Sequence, residues 1–226
     1  MKAMVLCSGG VDSTTLLAMA VAEYGHDHVT ALSIAYGQKH ERELTAARAV
    51  AAYYNVEQRF LDLQAIFADS NCSLLAHSDQ AVPGESYAEQ MDKADGKPVS
   101  TYVPFRNGLF LSAAASMALS QDCQALYYGA HHDDWAGSAY PDCSVEFVDA
   151  MGQAISQGTG GQLTLKAPFI RWNKAKIVAE GLRRDVPYGL TWSCYEGGTV
   201  PCGVCGTCVD RRRAFEANGV KDPLIQ

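Results

Sequence analysis

The sequence predicts an α/β fold, a doubly wound parallel sheet with a small metal-binding loop subdomain at its carboxyl end, and three observations lead there. Short apolar runs alternate with segments of helical spacing; the first run ends in Ser8-Gly9-Gly10; and four of the eight cysteines fall between positions 194 and 208. Strands that alternate with helices bury their apolar faces as a parallel sheet wrapped on both sides. At 226 residues the chain is long for one compact domain and short for two, so one core with an appendage is expected. Residues 1–190 are assigned to the main domain and 191–226 to a subdomain packed on the sheet.

Residues 2–7 form an apolar run that ends in the glycine turn, and residues 13–24 then place apolar side chains at 16, 17, 20 and 21, the spacing of a helix. Residues 29–36 suit a buried strand. After Gly37, residues 41–54 carry charges on one side and alanine and valine on the other, as an amphipathic helix does. A strand at 57–63, a helix at 109–119 and a strand at 124–129 continue the alternation, followed by a helix at 145–155 and a short strand at 163–167. Asn173 is placed to cap a helix at 174–184, which Pro187 and Gly189 close. Residues 69–101 keep no sustained period, and a connection of that length inside a compact domain is a lid, a partly helical stretch or a mobile loop.

Hydrophobic residues at 48% and charged residues at 19%, without a low-complexity tract, exclude a disordered or collagen-like chain. The longest apolar stretch, residues 16–22, is far short of the roughly 20 residues of a membrane span. The opening apolar run is too brief for a signal peptide, so a cytoplasmic protein is expected. A net charge of −7 disfavours broad binding to nucleic acid. Cys7, Cys72, Cys123 and Cys143 are scattered and read as small core residues in a reducing compartment.

Ser8-Gly9-Gly10-Val11-Asp12-Ser13 lies where a strand's carboxyl end meets a helix amino terminus, the place at which doubly wound sheets hold ligands. Glycines let successive N–H groups point inward, the helix adds partial positive charge, and Ser8 and Ser13 add hydroxyls, so phosphate is the fitting guest. Asp12 would repel a phosphate unless it caps the helix or a divalent cation lies between them, which implies Mg²⁺. The turn lacks the Gly-Lys-Ser/Thr ending of a Walker loop and the three-glycine fingerprint of dinucleotide binders, so neither a GTPase nor a dehydrogenase is supported. A plain tight β–α turn would use the same residues.

Cys194, Cys202, Cys205 and Cys208 offer four thiolates in a short span with glycines between them. Four soft ligands fit a closed, structural tetrahedral Zn²⁺ site, and a similar spacing also suits an iron–sulfur cluster.

The Ser-Gly-Gly-x-Asp-Ser run resembles the PP-loop of the N-type ATP pyrophosphatases, which cleave ATP between the α and β phosphates and adenylate a substrate oxygen. Taken with Tyr140-Pro141-Asp142-Cys143, Glu146-Phe147 and Thr191-Trp192-Ser193-Cys194-Tyr195 leading to the other three cysteines, nearly the whole chain resembles the 7-cyano-7-deazaguanine synthase family. The resemblance implies an adenine nucleotide α-hydrolase-like, Rossmann-like domain followed by a zinc-binding tail. It implies that 7-carboxy-7-deazaguanine and ammonia become the nitrile at the expense of ATP, in queuosine and archaeosine formation. It further implies one structural zinc per chain on Cys194, Cys202, Cys205 and Cys208, and a homodimer. Mg-ATP would lie along Cys7, Ser8, Gly9, Gly10, Val11, Asp12, Ser13, Thr14, Thr15, Leu16 and Leu17.

Lys174 resembles the late lysine of PP-loop domains and, with Asp12 and Ser13, is expected to act on the departing pyrophosphate. Arg106-Asn107 resembles the family's arginine–asparagine segment beside the acceptor pocket, and a guanidinium there suits a carboxylate or phosphate. Asp142 can pair with the N–H edge of a deazaguanine, while Phe105, Tyr140 and Trp192 can stack on its face. Two places depart from the family pattern. Ser144 stands where an arginine is expected, and the segment at 129–134 is rich in histidine, with His131 and His132 either replacing that cation or forming an incidental pair. Two other functions stay open: a PP-loop tRNA-modifying enzyme, which would want a basic surface although Arg211-Arg212-Arg213 is the one dense basic run, and a non-catalytic nucleotide-binding module.

Overall fold

The computed structural model describes residues 1–39, 41–83, 99–135 and 139–225. Five strands, β1 (Lys2–Leu6), β2 (Val29–Ala35), β3 (Glu57–Asp62), β4 (Cys123–Tyr127) and β5 (Thr164–Lys166), form one sheet. Their order is β3-β2-β1-β4-β5 and every pairing is parallel. The longer helices are α1 (Val11–Tyr24), α2 (Arg42–Tyr53), α3 (Arg106–Ser120), α4 (Val145–Gly158), α5 (Lys174–Arg183) and α6 (Gly206–Glu216). The order runs outward from β1 in both directions, so the connections leaving β1 and β4 diverge and open a crevice at their carboxyl ends.

The central strand is apolar from Ala3 to Leu6, because both of its faces are covered there. Ala3 and Val5 pack with Leu16 and Leu17 of α1, Ala47 and Val50 of α2, and Ile177 of α5. Met4 points the other way, into a core with Leu111 of α3, Leu126 of β4 and Val148 and Ile155 of α4. β3 closes one edge of the sheet, and its Phe60 stays 47% exposed beneath the guanidinium of Arg48, 4.8 Å from the ring centroid.

Several boundaries differ from those read in the sequence, each for a local reason. α1 begins at Val11, two residues before the expected start, which puts Asp12 in its first turn with Ser13 rather than in the loop before it. α3 begins at Arg106, after Phe105 adopts a left-handed φ of 52°, three residues before apolar periodicity becomes visible. Ser144 caps α4, its Oγ accepting from the Phe147 N–H at 3.1 Å. The serine read as a missing substrate cation thus has a structural task that an arginine side chain, which has no acceptor, cannot perform.

The carboxyl-terminal segment is less a loop than expected, because α6 accounts for much of it. It rests on helices rather than on the sheet itself: Ala214 and Phe215 pack against Val11 and Ala18 of α1 and Val178 of α5. Of the basic run, Arg212 and Arg213 are exposed, but Arg211 is buried in a two-bond ion pair with Asp222. Arg211 also donates to Thr191 Oγ1 and to the Tyr188 carbonyl, so its bonds cross the boundary drawn at 190. Of the long connection at 69–101, residues 84–98 lie outside the described residues. Its described flanks pack Cys72, Leu74, Leu75 and Val103 around Tyr36 and Phe67.

Candidate active site

A cavity of about 280 Å³ occupies the crevice at the carboxyl ends of β1 and β4. Its floor is the glycine turn. Gly9 has a φ of +82°, and a side chain there would run into the α2 backbone at Glu43 and Ala47, so only glycine lets the turn and that helix meet. Trp192 N donates to the Gly9 carbonyl at 2.9 Å and fixes the turn from the other side. The hydroxyls of Ser8 and Ser13 lie 3.2 Å apart across the turn, and Thr14 closes it with a bond to the Gly10 carbonyl. The α1 amino terminus therefore presents N–H groups and two hydroxyls to the cavity, which is the arrangement that suits an anion.

One wall is an ionic cluster. Lys174, the first residue of α5, donates from Nζ to Asp12 Oδ2 at 2.9 Å and lies 3.3 Å from His131 Nε2. His131 is buried, 3.6 Å from the Asp12 carboxylate and 3.4 Å from that of Asp134. Asn173 caps α5 through Lys176 N, and Asp133 accepts from Lys174 N at 2.8 Å, so two acceptors anchor the helix that carries the lysine. Burial alone would raise the Asp12 pKa, but the ammonium of Lys174 and the His131 ring outweigh it and hold the carboxyl well below the usual range. Burial works against the charged form of Lys174 and His131 too, and neighbouring carboxylates overcome it in both, raising their pKa. Asp12 Oδ1 and His131 Nδ1 are buried without a hydrogen-bond partner among the described residues.

The opposite wall comes from the end of β2 and the starts of α2 and α3. Arg106 lies with its guanidinium 4.9 Å from the Tyr36 ring centroid and faces the cavity beside Asn107 and Phe110. Glu43 also lines this wall, and burial pushes its carboxyl up to about 7, the field of Arg106 opposing only in part. Behind it, Asp142 Oδ2 accepts from Asn107 N at 2.9 Å while Oδ1 is buried without a partner among the described residues. Burial raises the Asp142 pKa despite that bond.

The four cysteines converge at the far rim. Cys194 comes from the segment after Trp192, Cys205 caps α6 and Cys208 lies in its first turn. Their sulfurs all fall within 4.8 Å of one another, with Cys202 and Cys208 4.0 Å apart. Tetrahedral bonds of about 2.3 Å require sulfurs roughly 3.8 Å apart, so the cluster can close on a metal ion with little movement. Backbone N–H groups of Glu196 and Cys202 point at Cys194 Sγ, and that of Cys205 points at Cys202 Sγ, as suits thiolates. Thr207, between two of the cysteines, donates to the Ser193 carbonyl, and both residues line the cavity.

Cys7, Ser8, Gly10, Val11, Asp12, Ser13, Arg106, Asn107, Tyr140, Trp192 and Lys174 all line this one cavity. Other expected contacts lie elsewhere. Phe105 is 58% exposed and packs edge-on against Phe147 outside the cavity, because its left-handed backbone turns the ring outward. Leu16 and Leu17 belong to the core, and Thr15 is bonded to Tyr188 in the protein interior. Asp142 sits behind the wall rather than in it. Of the two histidines, His131 enters the cavity and His132 remains on the surface beside Asp133. Tyr36, Gln38 and Glu43 were not singled out in the sequence, although they follow the strand next to β1, where the strand-end rule would have directed attention.

The sequence profile described as "Queuosine biosynthesis protein QueC" matches residues 2–219. A 7-cyano-7-deazaguanine synthase from Caldicellulosiruptor saccharolyticus is 43% identical over 224 residues, covering 99% of this chain and 95% of that protein. One from Archaeoglobus fulgidus is 42% identical over 226 residues, covering 100% of this chain and 90% of that protein. Among solved structures, an NMN synthetase from Francisella tularensis superposes with a TM-score of 0.52 at 14% identity, covering 97% of this chain and 78% of that one. The U34-tRNA thiolase NcsA from Methanococcus maripaludis, solved with its 4Fe–4S cluster, gives 0.53 at 13% identity over 96% of this chain and 66% of that one. At such low identity these two likenesses speak to the Rossmann-like fold alone. The full-length profile match and relatives more than two-fifths identical decide the family: the chain belongs to the QueC family of queuosine biosynthesis proteins.

Proposed function

We propose that the protein is an ATP-dependent carbon–nitrogen ligase that converts 7-carboxy-7-deazaguanine and ammonia to 7-cyano-7-deazaguanine. The observation that carries the reading is that a QueC-family chain opens its glycine turn, Lys174 and Arg106 into one cavity at the switch point of the sheet. A carboxylate resists ammonia because oxide is a poor leaving group and the anion repels nucleophiles. Adenylation removes both obstacles. Arg106 orients the substrate carboxylate, whose oxygen attacks the α phosphorus of ATP, while the N–H groups of the glycine turn, Ser13 and Lys174 receive the departing pyrophosphate. Ammonia displaces AMP to give the amide. A second adenylation, on the amide oxygen, and elimination of AMP give the nitrile, so two ATP yield two AMP and two pyrophosphate.

Asp12 is the residue that would hold Mg²⁺, since its buried Oδ1 has no other partner among the described residues. When bound, the ion would neutralise phosphate charge. The four cysteines would hold one zinc per chain, which supplies no chemistry and stiffens the segment carrying Trp192 and Ser193. Tyr140 and Trp192 offer aromatic faces to the bound rings, and Asp142 supports Asn107 from behind. No helix among the described residues is long and apolar enough to cross a membrane, and the buried free thiols of Cys7, Cys72, Cys123 and Cys143 suit the cytoplasm. The family likeness implies a homodimer, and the mass of the protein in solution tests it: twice the chain mass is expected, and a monomer mass would overturn it.

Mass spectrometry of a reaction containing the acid, ammonium and Mg-ATP tests the reading. Nitrile with AMP and pyrophosphate is the expected outcome, and oxygen-18 in the substrate carboxylate should appear in AMP. ADP with phosphate, or label found only in free phosphate, would overturn adenylation.

A further inference from the structure

Glu43 is a cavity carboxylate that adenylation does not use. It stands in the first turn of α2, near Tyr36, and lines the same cavity wall as Arg106. Among the described residues its carboxylate forms no hydrogen bond and no ion pair, and its one resolved charged influence is the Arg106 guanidinium. The other acids of the cavity are accounted for. Asp12 is held by Lys174, Asp133 accepts from the α5 backbone and Asp134 meets His131. Asp210 sits in the field of Lys174, Arg213 and His131 at the glycine-turn end.

An unpaired carboxylate facing a cavity built for anions is a liability, because ATP and a carboxylic acid are both repelled by it. On the synthase reading, on which this inference rests, one reactant is a cation near neutral pH: ammonium. Ammonium must also lose a proton before its nitrogen can attack. We infer that Glu43 binds the incoming ammonium ion and serves as the general base that frees ammonia beside the acyl group oriented by Arg106. One N–H proton passes to the carboxylate, and the freed lone pair bonds the acyl carbon. The bond from that carbon to the AMP oxygen breaks with its electron pair leaving on AMP, and the nitrogen gives a second proton to the departing phosphate.

The electrostatics agree. The charged group acting on Glu43 is Arg106 of α3, with Tyr36 after β2 beside both, Cys72 next to that tyrosine, and Tyr140, Tyr195 and Asp142 around the guanidinium. Burial, opposed in part by Arg106, leaves the carboxyl at about 7, matched to taking up and returning a proton near neutrality.

The test compares two amines in the Glu43→Gln variant. Ammonium needs a base; hydroxylamine is already neutral at pH 7 and traps the same acyl-adenylate as a hydroxamate. Ammonium-dependent product formation at pH 7 should fall about 100-fold, while hydroxamate formation changes less than about twofold. From pH 7 to 9 the variant's ammonium rate should climb about tenfold per unit, following free ammonia, whereas the wild-type rate flattens as Glu43 becomes fully ionised. Glu43→Asp, which keeps a base, should retain more ammonium use than Glu43→Gln. Equal losses with both amines would assign Glu43 a structural role, and an unchanged ammonium rate would remove it from the reaction; either result overturns the inference. If wild-type protein forms no AMP from the acid, with either amine, the synthase reading itself fails, which is a separate outcome.

Discussion

Replacing Asp222 by alanine should destabilise the protein sharply even though Asp222 lies close to the carboxyl end of the sequence. Its carboxylate and the Arg211 guanidinium are 2% and 3% exposed and meet through two bonds of 2.7 and 2.9 Å. Removing the acid strands a buried cation, for which the cost is about 3–5 kcal/mol. Thr191 Oγ1 at 2.7 Å and the Tyr188 carbonyl at 3.1 Å still accept from Arg211, which favours the lower end, about 3 kcal/mol. For a chain of this size that corresponds to a fall in Tm of roughly 6–12 °C. Far-UV circular dichroism on wild type, Asp222→Ala, Arg211→Met and the double variant Arg211→Met/Asp222→Leu measures it. The double variant should be more stable than Asp222→Ala, because it leaves no unpaired charge. KM for ATP should rise in the single variants, since Arg211 holds Thr191 and Trp192 N holds the Gly9 carbonyl. A Tm shift below about 2 °C for Asp222→Ala, or a double variant less stable than it, would refute the claim that burial makes this pair matter.

Lys174→Met should lower AMP and pyrophosphate formation by about 10²–10³-fold while leaving the fold intact. The depressed Asp12 pKa means its ion pair stabilises above the ordinary carboxylate range, and the raised Lys174 pKa means it does so below the ordinary lysine range. The variant's Tm deficit should therefore be present between about pH 4 and 10 and vanish on either side, as a pH series of melting curves would show. Cys208→Ser should remove about one metal per chain and reduce folded yield; elemental analysis should find zinc in a colourless wild-type protein, and iron with labile sulfide would replace zinc by a cluster. Glu43 is held at about 7, above its ordinary value, so ionising it costs stability as pH rises; Glu43→Gln should raise Tm at pH 8 and leave it unchanged at pH 4.

Local chemistry was legible in the sequence. Alternating apolar runs announce a parallel sheet because a strand covered on both faces has no polar side to show, and β1, β2 and β4 are such strands. The glycine turn and the cysteine cluster were legible because each concentrates its chemistry within a few consecutive residues, so spacing alone carries the geometry. Periodicity begins only after a helix is under way, which is why Asp12, in the first turn of α1, reads as loop and why α3 reads as starting at residue 109 although Arg106 begins it. Tertiary structure alone decided the rest. It set His131 beside Lys174 and Asp12, turned Phe105 outward, buried Arg211 against Asp222 and brought Glu43 and Arg106 to one wall of the cavity. These outcomes depend on which groups remain once helices from distant parts of the chain have packed, and a charge announces its type in the sequence but not the partner that will neutralise it.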